Sequence, residues 1–290
     1  MLAVDFEFNG IKMSDLGWRI VNIGQINDGE VPAGGEVTFT TSKAINGMRW
    51  NYNGAKYETP YSFTCQICKF DENCQMVNIG NREQAFIHKL LVRKDGYRWF
   101  RWLTDGHENV YYNAQIALQW YKVASDVIGA TLTITCDAPW GYSPIHTYEK
   151  TISSGQTFTI YNDSDDIGAI IPSQMEILIK SNGNLRLSNS LETLYSPTYP
   201  SMKINNCVSG EVIIINGITK QISTNKSSHK VANDYNYKPI RLINLDENYT
   251  YNSSNATMTS INDLRSNNIT VSGCDCTINL AYRTIRKVVI

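Results

Sequence analysis

The first half of the chain alternates apolar and polar positions in short runs, which is the pattern of half-buried β-strands. Phe6 and Phe8 alternate with acidic residues, and Asn9-Gly10 then supplies the signal for a type I′ turn. Further alternating segments lie at 15–21, 36–40, 48–52, 61–65, 97–103, 111–121 and 131–136. Gly, Asn and Pro separate these segments, and short strands at this spacing indicate a β-sandwich or a barrel.

The segment 81–94 has a helical period instead. Its apolar residues recur three and four positions apart, at Phe86, Ile87, Leu90 and Leu91. Asn81 and Gln84 resemble a capping box at the start, and Arg93-Lys94 complement the helix dipole at the end. Asp95-Gly96 then terminates the helix. We predict that this helix packs its apolar residues across a sheet.

The alternation stops at 137–142, where a proline and a glycine interrupt the chain. We therefore predict a domain boundary here, with one domain at 1–138 and a second at 139–290. Strand patterns resume at 156–161, 175–180, 211–215 and 276–283. Asn216-Gly217, directly after the third of them, marks a tight hairpin. The predicted fold is mainly β, with two β-sandwich domains of which the first carries one packed α-helix.

The composition agrees with two globular domains and excludes several classes of protein. The 290 residues leave room for two domains of about 150 residues each. Hydrophobic residues make up 42%, which is enough for buried cores and excludes wholesale disorder. The 26 basic and 27 acidic residues nearly cancel, so a basic coat that binds nucleic acid is excluded. The longest aliphatic stretch, 212–215, is far shorter than the about 20 residues of a membrane helix.

The surface is expected to be polar but poor in charge. Charged residues make up 18% of the chain, below the usual share of about 25%. Asn, Ser and Thr are expected to take their place at the surface. Such a surface suits large contacts with other protein surfaces better than it suits a freely diffusing enzyme.

The start of the chain and the cysteines indicate the compartment. Residues 1–8 have neither a basic n-region nor an apolar h-region, so we expect no secretory signal. The seven cysteines are an odd number for a disulfide framework, and we expect reduced thiols in a protein made in the cytosol. The Asn-x-Ser/Thr triplets are then products of composition rather than glycosylation sites, and they begin at Asn225, Asn248, Asn255 and Asn268.

Cys65, Cys68 and Cys74 have two interpretations. They would supply three thiolates to zinc, with a fourth ligand from His88 or His107. The alternative is that they are small hydrophobic side chains in or beside a strand, because buried free cysteine is common. A regular strand would also place the first two on opposite faces.

Two further groups have alternative interpretations of the same kind. Asp163, Asp165 and Asp166 cluster the hard oxygen ligands that calcium prefers. The run lacks the glycine and the distal glutamate of an EF-hand loop, and a hairpin tip rich in Asp needs no ion. Cys274 and Cys276 would share one strand face, as a redox pair, a soft-metal site or reduced structural thiols.

No sequence motif points to catalysis. The chain has four histidines, and none of them stands in a motif with a nucleophile or a metal ligand. They are His88, His107, His146 and His229. The chain also lacks a Gly-x-Ser-x-Gly elbow, a P-loop and a dinucleotide fingerprint. We therefore assign no catalytic, cofactor-binding or metal residue and expect no enzyme. A glycosidase carboxylate pair stays open, because its separation is a property of the fold.

Three parts of the chain carry a resemblance to a known family. In 83–142, a helix leads through Asp95-Gly96-Tyr97 and an aromatic strand to a domain end at 132–140. The start at 8–22 and the end at 268–283 belong to the same likeness. It covers nearly the whole chain and rests on order and spacing rather than on reactive residues. In these features the chain resembles the distal tail protein (Dit) family of long-tailed, siphovirus-type bacteriophages.

The resemblance implies a structural adaptor. Residues 1–138 would form a homo-hexameric ring around a channel, and 139–290 an outer galectin-like or carbohydrate-module-like sandwich. The ring would join the tail tube protein to the tail-associated hub or lysin protein at the virion's tail tip. The outer domain would hold receptor-binding proteins, and the final strand would pack back on the first domain in some arrangements. Such a ring is assembled in the host cytoplasm, without membrane insertion.

The low charge agrees with that expectation. A bore that passes DNA must not bind phosphate, so we predict that lumen-facing loops carry little net positive charge and make no sequence-specific contact with nucleic acid. Two alternatives remain. One is a carbohydrate-binding module acting in host-surface recognition, which needs aromatic platforms on a concave sheet. The other is a β-sandwich glycoside hydrolase. A chain of this length has no room for the inserted sugar-binding modules of longer relatives.

Overall fold

The structure is a computed structural model, described for residues 5–23, 37–43, 50–57, 59–104, 106–245, 249–252, 257–260 and 264–287. The chain divides into two compact units. The first comprises Met1–Tyr142 together with Arg286–Ile290, and the second comprises Ser143–Ile285. Both units consist mainly of antiparallel strands, so the predicted mainly-β class is confirmed. No helix in the described ranges is long and apolar enough to span a membrane.

The first unit is built on one seven-stranded sheet. The strands of this unit, inside and outside that sheet, are β1 (Phe6–Phe8), β2 (Ile11–Lys12), β3 (Trp18–Ile23), β4 (Val37–Lys43), β5 (Trp50–Tyr57), β6 (Ser62–Lys69), β7 (Arg98–Trp102), β8 (Tyr112–Val123), β9 (Asp126–Cys136) and β10 (Gly141–Tyr142), with a 3₁₀ turn at Met13–Leu16 and the helix α1 (Asn81–Leu91). The sheet has the order β2-β1-β7-β8-β9-β6-β3, and β4 and β5 form a separate hairpin.

This sheet curls over on itself. Strands β6 and β7 are three positions apart in it, which in a flat sheet would separate them by about 14 Å. The ring of Phe63 on β6 nevertheless lies 5.6 Å from that of Phe100 and 5.3 Å from that of Trp102, both on β7. The two halves of the sheet therefore pack face to face as the two layers of a sandwich.

The predicted turn at Asn9-Gly10 is confirmed in its geometry. The two residues join β1 to β2 and have φ values of 52° and 80°. A type I′ turn requires positive φ at both central positions, which asparagine and glycine tolerate better than other residues. The turn sets the register that pairs Phe8 with Ile11.

Helix α1 is present, but two expectations about it are wrong. Ile87 and Leu91 are fully buried, whereas Phe86 is 52% exposed. Successive helical residues point about 100° apart, so a stripe centred on Ile87 and Leu91 leaves Phe86 at its margin. The helix also begins one residue earlier than a capping Asn81 would require: Gly80 is the N-cap, and no side chain caps it.

The polar residues at the ends of α1 make other contacts than expected. Gln84 donates a hydrogen bond to the carbonyl of Ile79 at 2.7 Å, instead of accepting one from the N-cap amide as a capping box requires. The helix ends at Leu91, and Arg93 pairs with the carboxylate of Asp95 at 3.0 Å. The Arg93 guanidinium therefore binds a carboxylate in the turn after the helix instead of the last carbonyls of the helix.

The second unit is a two-sheet sandwich. Its strands are β11 (His146–Ile152), β12 (Thr157–Tyr161), β13 (Gly168–Ile170), β14 (Gln174–Ile179), β15 (Gly183–Asn189), β16 (Met202–Cys207), β17 (Val212–Asn216), β18 (Gln221–Thr224), β19 (Leu242–Asn244), β20 (Tyr249–Asn252), β21 (Thr257–Ser260), β22 (Ser266–Ser272) and β23 (Cys276–Tyr282), with short helices α2 (Glu192–Tyr195) and α3 (Val231–Asp234). Strand β24 (Ile285–Arg286) follows at the end of the chain.

The two main sheets of this unit share one core. One has the order β11-β23-β14-β17-β18 and the other β12-β22-β15-β16. Ile177 and Ile278 from the five-stranded sheet are fully buried in the same apolar cluster as Ile204 and Ile269 from the four-stranded sheet. Alternate residues of β14 and β22 are buried and exposed, as a half-buried strand requires.

The hairpin predicted at Asn216-Gly217 is present, because β17 pairs with β18, but its loop is longer than a two-residue turn. Four residues, 217–220, join β17 to β18. The Asn216 side chain accepts hydrogen bonds from the amides of Ile218 and Thr219, at 3.0 and 2.9 Å, and so widens the turn. Gly217 is required by packing instead, because a Cβ there would lie 1.9 Å from the carbonyl oxygen of Pro172.

Buried asparagines join the secondary elements of the second unit. The Asn267 side chain accepts from the amide of Ile243 at 2.6 Å and donates to the carbonyl of the same residue at 3.0 Å. Its oxygen also accepts from the side-chain amide of Asn189 at 2.7 Å, and its nitrogen donates to the carbonyl of Arg265 at 2.9 Å. All of its hydrogen-bonding capacity is therefore used within the protein. The composition predicts asparagine at the surface, in place of charged residues. Asn267 shows that asparagine also lies in the interior, where it holds segments of the chain together.

We expect Asn267→Ala to destabilise the second unit. The substitution leaves the amide and carbonyl of the buried Ile243 without partners, and each unsatisfied buried group costs about 1–3 kcal/mol. Chemical denaturation should show a clearly lowered free energy of unfolding. The neighbouring Asn268→Ala, at an exposed position, is the matched control and should have a much smaller effect. Equal effects of the two substitutions would contradict this role of Asn267.

Candidate assembly surfaces

The outward side of β6, β9 and β8 forms a polar face without charge. Pairing across these strands brings the side chains into three rows. The members of this surface, called the uncharged face, are Ser62, Thr64, Gln66, Gln115, Ala117, Gln119, Thr131, Thr133 and Thr135. Each is half-buried or exposed, while the alternate residues of the same strands fill the core. None of these side chains ionises.

The far end of the β8–β9 hairpin is apolar and exposed. Tyr121 is 54% exposed and Val123 is 51% exposed, close to a turn in which Ala124 has a φ of 54°. A non-glycine residue in this region is strained unless its surroundings hold it. These two side chains, beside the exposed Lys122 and Asp126, are a candidate contact for another protein surface.

The β4–β5 hairpin and the sheet edges offer further contact surfaces. A two-stranded hairpin is marginally stable in water by itself, and Phe39 on this one is 67% exposed. Strands β2 and β3 are the outer strands of the seven-stranded sheet. The outer strand of a sheet presents backbone donors and acceptors that a neighbouring chain can pair with.

The three cysteines considered for zinc do not meet. Cys65 is fully buried in the core, Cys68 lies on the other face of β6 opposite Gly129, and Cys74 is exposed in the following loop. Burial raises the pKa of the Cys65 thiol to about 12 and also raises that of Cys68. In the described ranges, no group of three or more His, Cys, Asp or Glu residues has a metal-binding arrangement.

Cys276 is the first residue of β23, whereas Cys274 lies in the bend before it and outside the strand; both are buried in the core of the second unit together with Cys207. All three are free thiols. Burial raises the pKa of Cys207 and of Cys276 to about 12. Neutral, enclosed thiols of this kind act as small hydrophobic side chains.

The acidic run around Asp163 is not the tip of a hairpin. It connects β12, which pairs with β22, to β13, which pairs with β19. Its conformation is set by the buried Asn162, whose side-chain oxygen accepts from the Ser164 hydroxyl at 2.6 Å. Asn244 donates to the carbonyl of Ser164 at 2.9 Å and holds the loop from the other side.

One buried polar cluster in the second unit has no signal in the sequence. Glu211 is fully buried, and its carboxylate accepts hydrogen bonds from the Thr224 hydroxyl and, at 2.7 Å, from Nδ1 of His229. Nε2 of His229 lies 3.2 Å from the Asp234 carboxylate. The cluster joins the segment after β18 to the start of β17. The Glu211 and His229 side chains are enclosed, and the Asp234 side chain is partly exposed.

Of the other histidines, His88 is exposed on α1, and His146 stacks on Tyr282 with ring centroids 5.2 Å apart. Burial lowers the pKa of His107.

We expect the stability contributed by Glu211 to depend on pH. Burial alone would raise the pKa of this carboxyl, but hydrogen bonds from Thr224, His229 and the Val208 amide outweigh it, and the pKa lies below its ordinary value. The stabilisation is therefore complete above the unfolded value of about 4.3 and is lost as the pH falls through the lowered folded value.

Thermal denaturation of the wild type and of Glu211→Gln checks this expectation. At neutral pH the variant should be less stable by about 1.5–3 kcal/mol, the usual contribution of hydrogen bonds to a charged group. The difference should shrink at acidic pH, as the wild-type carboxylate becomes protonated. A difference that stays constant down to pH values well below the ordinary carboxyl pKa would contradict this account.

Comparison with known proteins gives the family. Residues 1–138 match the family model described as phage tail protein N-terminal domain, and residues 140–282 match the one described as phage tail C-terminal domain. A comparison with curated protein sequences finds no match.

The solved structures that share the fold include the following two. One is the crystal structure of the Dit protein of phage SPP1, described as a paradigm of the hub adsorption apparatus in phages that infect Gram-positive bacteria, with 9% identity and a TM-score of 0.55. The alignment covers 97% of this chain and 99% of that one. The other is the phage p2 baseplate in its activated conformation with strontium, with 10% identity and a TM-score of 0.51. It covers 96% of this chain and 97% of the other.

The fold-level likeness to Dit spans both units, so the resemblance predicted from the sequence is confirmed at the level of the fold. The family models together match nearly the whole chain. The protein therefore belongs to a family of bacteriophage tail proteins.

Proposed function

We propose that this protein is a structural, non-enzymatic subunit of the phage tail tip, where copies of it form a hexameric ring around the tail channel. The observation that carries the proposal is the uncharged face of the first unit. A sheet face that is polar but free of charge stays wet without attracting phosphate, as the wall of a DNA channel requires. The fold shared with SPP1 Dit and the p2 baseplate supports the same location.

Ring closure needs two different surfaces that repeat head to tail. The first unit offers such a pair, because the exposed β4–β5 hairpin is unlike the edge strands β2 and β3. A hairpin of one copy adding to a sheet edge of the next copy would satisfy the backbone groups of both. The same contact, repeated around the axis, closes the ring and buries the exposed apolar groups.

The ring works by geometry rather than by chemistry. One side of it would bind the tail tube protein, and the other the tail-associated hub or lysin protein. Each copy makes the same contact, so six weak contacts act together and give strong attachment. The second unit would project outward and hold receptor-binding proteins. Assembly would take place in the host cytoplasm before the virion forms.

The mass and shape of the purified full-length protein test this proposal. We expect light scattering to give the mass of six chains of 32.8 kDa each, and negative-stain images to show hollow particles with six-fold symmetry. The deletion of residues 37–57 should abolish the ring and leave a folded monomer, with unchanged circular dichroism of the remaining sheets. A full-length protein that stays monomeric at high concentration would contradict a self-assembling ring.

A further inference from the structure

Two cysteine thiols of the second unit lie against each other, although they are far apart in the chain. Cys207 is the last residue of β16 in the four-stranded sheet, and Cys274 lies in the bend between β22 and β23. The two thiols are joined by a hydrogen bond. Both side chains belong to the apolar core of this unit. Nothing in the proposed tail-tip role uses this pair.

A glycine makes room for this contact. Gly183 on β15 pairs directly with Cys207 on β16. A Cβ at Gly183 would lie 3.2 Å from Sγ of Cys274 and 2.2 Å from the carbonyl oxygen of Gly273. The side chains of directly paired residues are neighbours on one face of a sheet. The absence of a side chain at Gly183 therefore leaves the space beside Cys207 open to the Cys274 sulfur.

The third cysteine of this core is held elsewhere. Cys276 is close to Cys274 in the chain, but it lies inside the five-stranded sheet, where it pairs with Ile152 on one side and Ile179 on the other. In the part of the chain that the structure describes, no hydrogen bond joins its thiol to that of Cys207 or Cys274. The pair that the fold brings together is therefore Cys207 and Cys274.

Both buried thiols lie next to exposed turns. Asn206 and Val208 are exposed on either side of Cys207, and the exposed Gly273 precedes Cys274. Asn206 has a φ of 55°, a conformation that costs energy in a residue with a side chain. Local opening of a turn at the edge of a core requires much less free energy than unfolding of the whole unit. A small oxidant therefore reaches this pair by a local movement of the two turns.

The contact makes the two thiols unequal. Burial raises the pKa of both, that of Cys207 to about 12. The hydrogen bond between them lowers the pKa of Cys274 and raises that of Cys207. The thiolate is the reactive form of cysteine, so Cys274 is the nucleophile of the pair and Cys207 the thiol that reacts second.

We propose that Cys207 and Cys274 form a disulfide when the protein has left the reducing cytosol and meets a peroxide. The Cys274 thiolate attacks one peroxide oxygen and becomes a sulfenic acid, while the other oxygen takes up a proton and leaves as water. The Cys207 sulfur then attacks the sulfenic sulfur, forms the S–S bond and displaces a second water. Two thiols are oxidised, and one hydrogen peroxide is reduced to two waters. The proposed function enters only through the release of virions from the host cytosol.

Alkylation and peptide mapping of the full-length protein test the proposal. The reduced protein is treated with hydrogen peroxide, then denatured and alkylated. We expect two of its seven cysteines to resist alkylation, and mass spectrometry to find the peptides of Cys207 and Cys274 joined by a bond that dithiothreitol cleaves. The thermal transition of the second unit should rise by about 5–10 °C on oxidation, because a cross-link between distant residues restricts the unfolded chain.

Single alanine variants separate the two roles. Cys207→Ala should stop the reaction at the sulfenic acid, so that dimedone labels Cys274. Cys274→Ala should leave Cys207 unoxidised under the same treatment. Cys276→Ala removes a third thiol of the same core and is the matched control, in which the disulfide should still form. Circular dichroism shows that each variant is folded, and the peptide map of the wild type is decisive even where a variant is not.

Three results would overturn the proposal. In the first, Cys207 and Cys274 of the peroxide-treated protein are still fully alkylated. In the second, the mapped disulfide joins Cys276 or the exposed Cys74 to one of them instead. In the third, dimedone labels Cys207 in Cys274→Ala as strongly as it labels Cys274 in Cys207→Ala. The map is read on denatured chains, so none of these results depends on ring formation, which is measured separately.

Discussion

The constraint on which this structure depends is that every strand has two faces and only one of them can enter a core. In the first unit, the inner face of β6, β9 and β8 carries Ile67, Leu132 and Ile134, which are almost completely buried. The outer positions of the same strands carry threonine, serine and glutamine, which favour the strand or tolerate it and hold no charge. The curl of the sheet makes the buried side a closed two-layer core and leaves the outer side as one continuous polar surface.

In the interior of the second unit, too, uncharged polar side chains make many of the hydrogen bonds. The side-chain amides of Asn267 and Asn162 bond backbone groups of β19, as a neighbouring strand would do. These buried backbone groups therefore have hydrogen-bond partners. Glu211 is a charged residue in this interior, and its carboxylate is surrounded by donors from Thr224 and His229. These networks join loops and short strands of the second unit to one another. Rigid loops on a fixed sandwich are a suitable basis for binding other molecules.

The sequence predicts correctly those features that depend on residues close together in the chain. The turn at Asn9-Gly10, the position of α1 and the alternation of most strands follow from neighbouring residues. The local signal at Asn216-Gly217 predicts the hairpin but not its four-residue loop, because the Asn216 side chain and the distant carbonyl of Pro172 determine the form of the turn. The exposure of Phe86 depends on which stripe of α1 meets the sheet. The contact of Glu211 with His229 arises from the tertiary fold and leaves no pattern in the chain.

The account depends most on the orientation of the uncharged face in the assembled tail. Cryo-electron microscopy of intact tail tips that contain this protein would measure that orientation directly. The account predicts six copies around the axis, with the face defined by Thr64, Thr133 and Gln119 on the wall of the bore. A map in which this face points outward into solvent, or in which basic side chains line the bore and contact DNA, would contradict it.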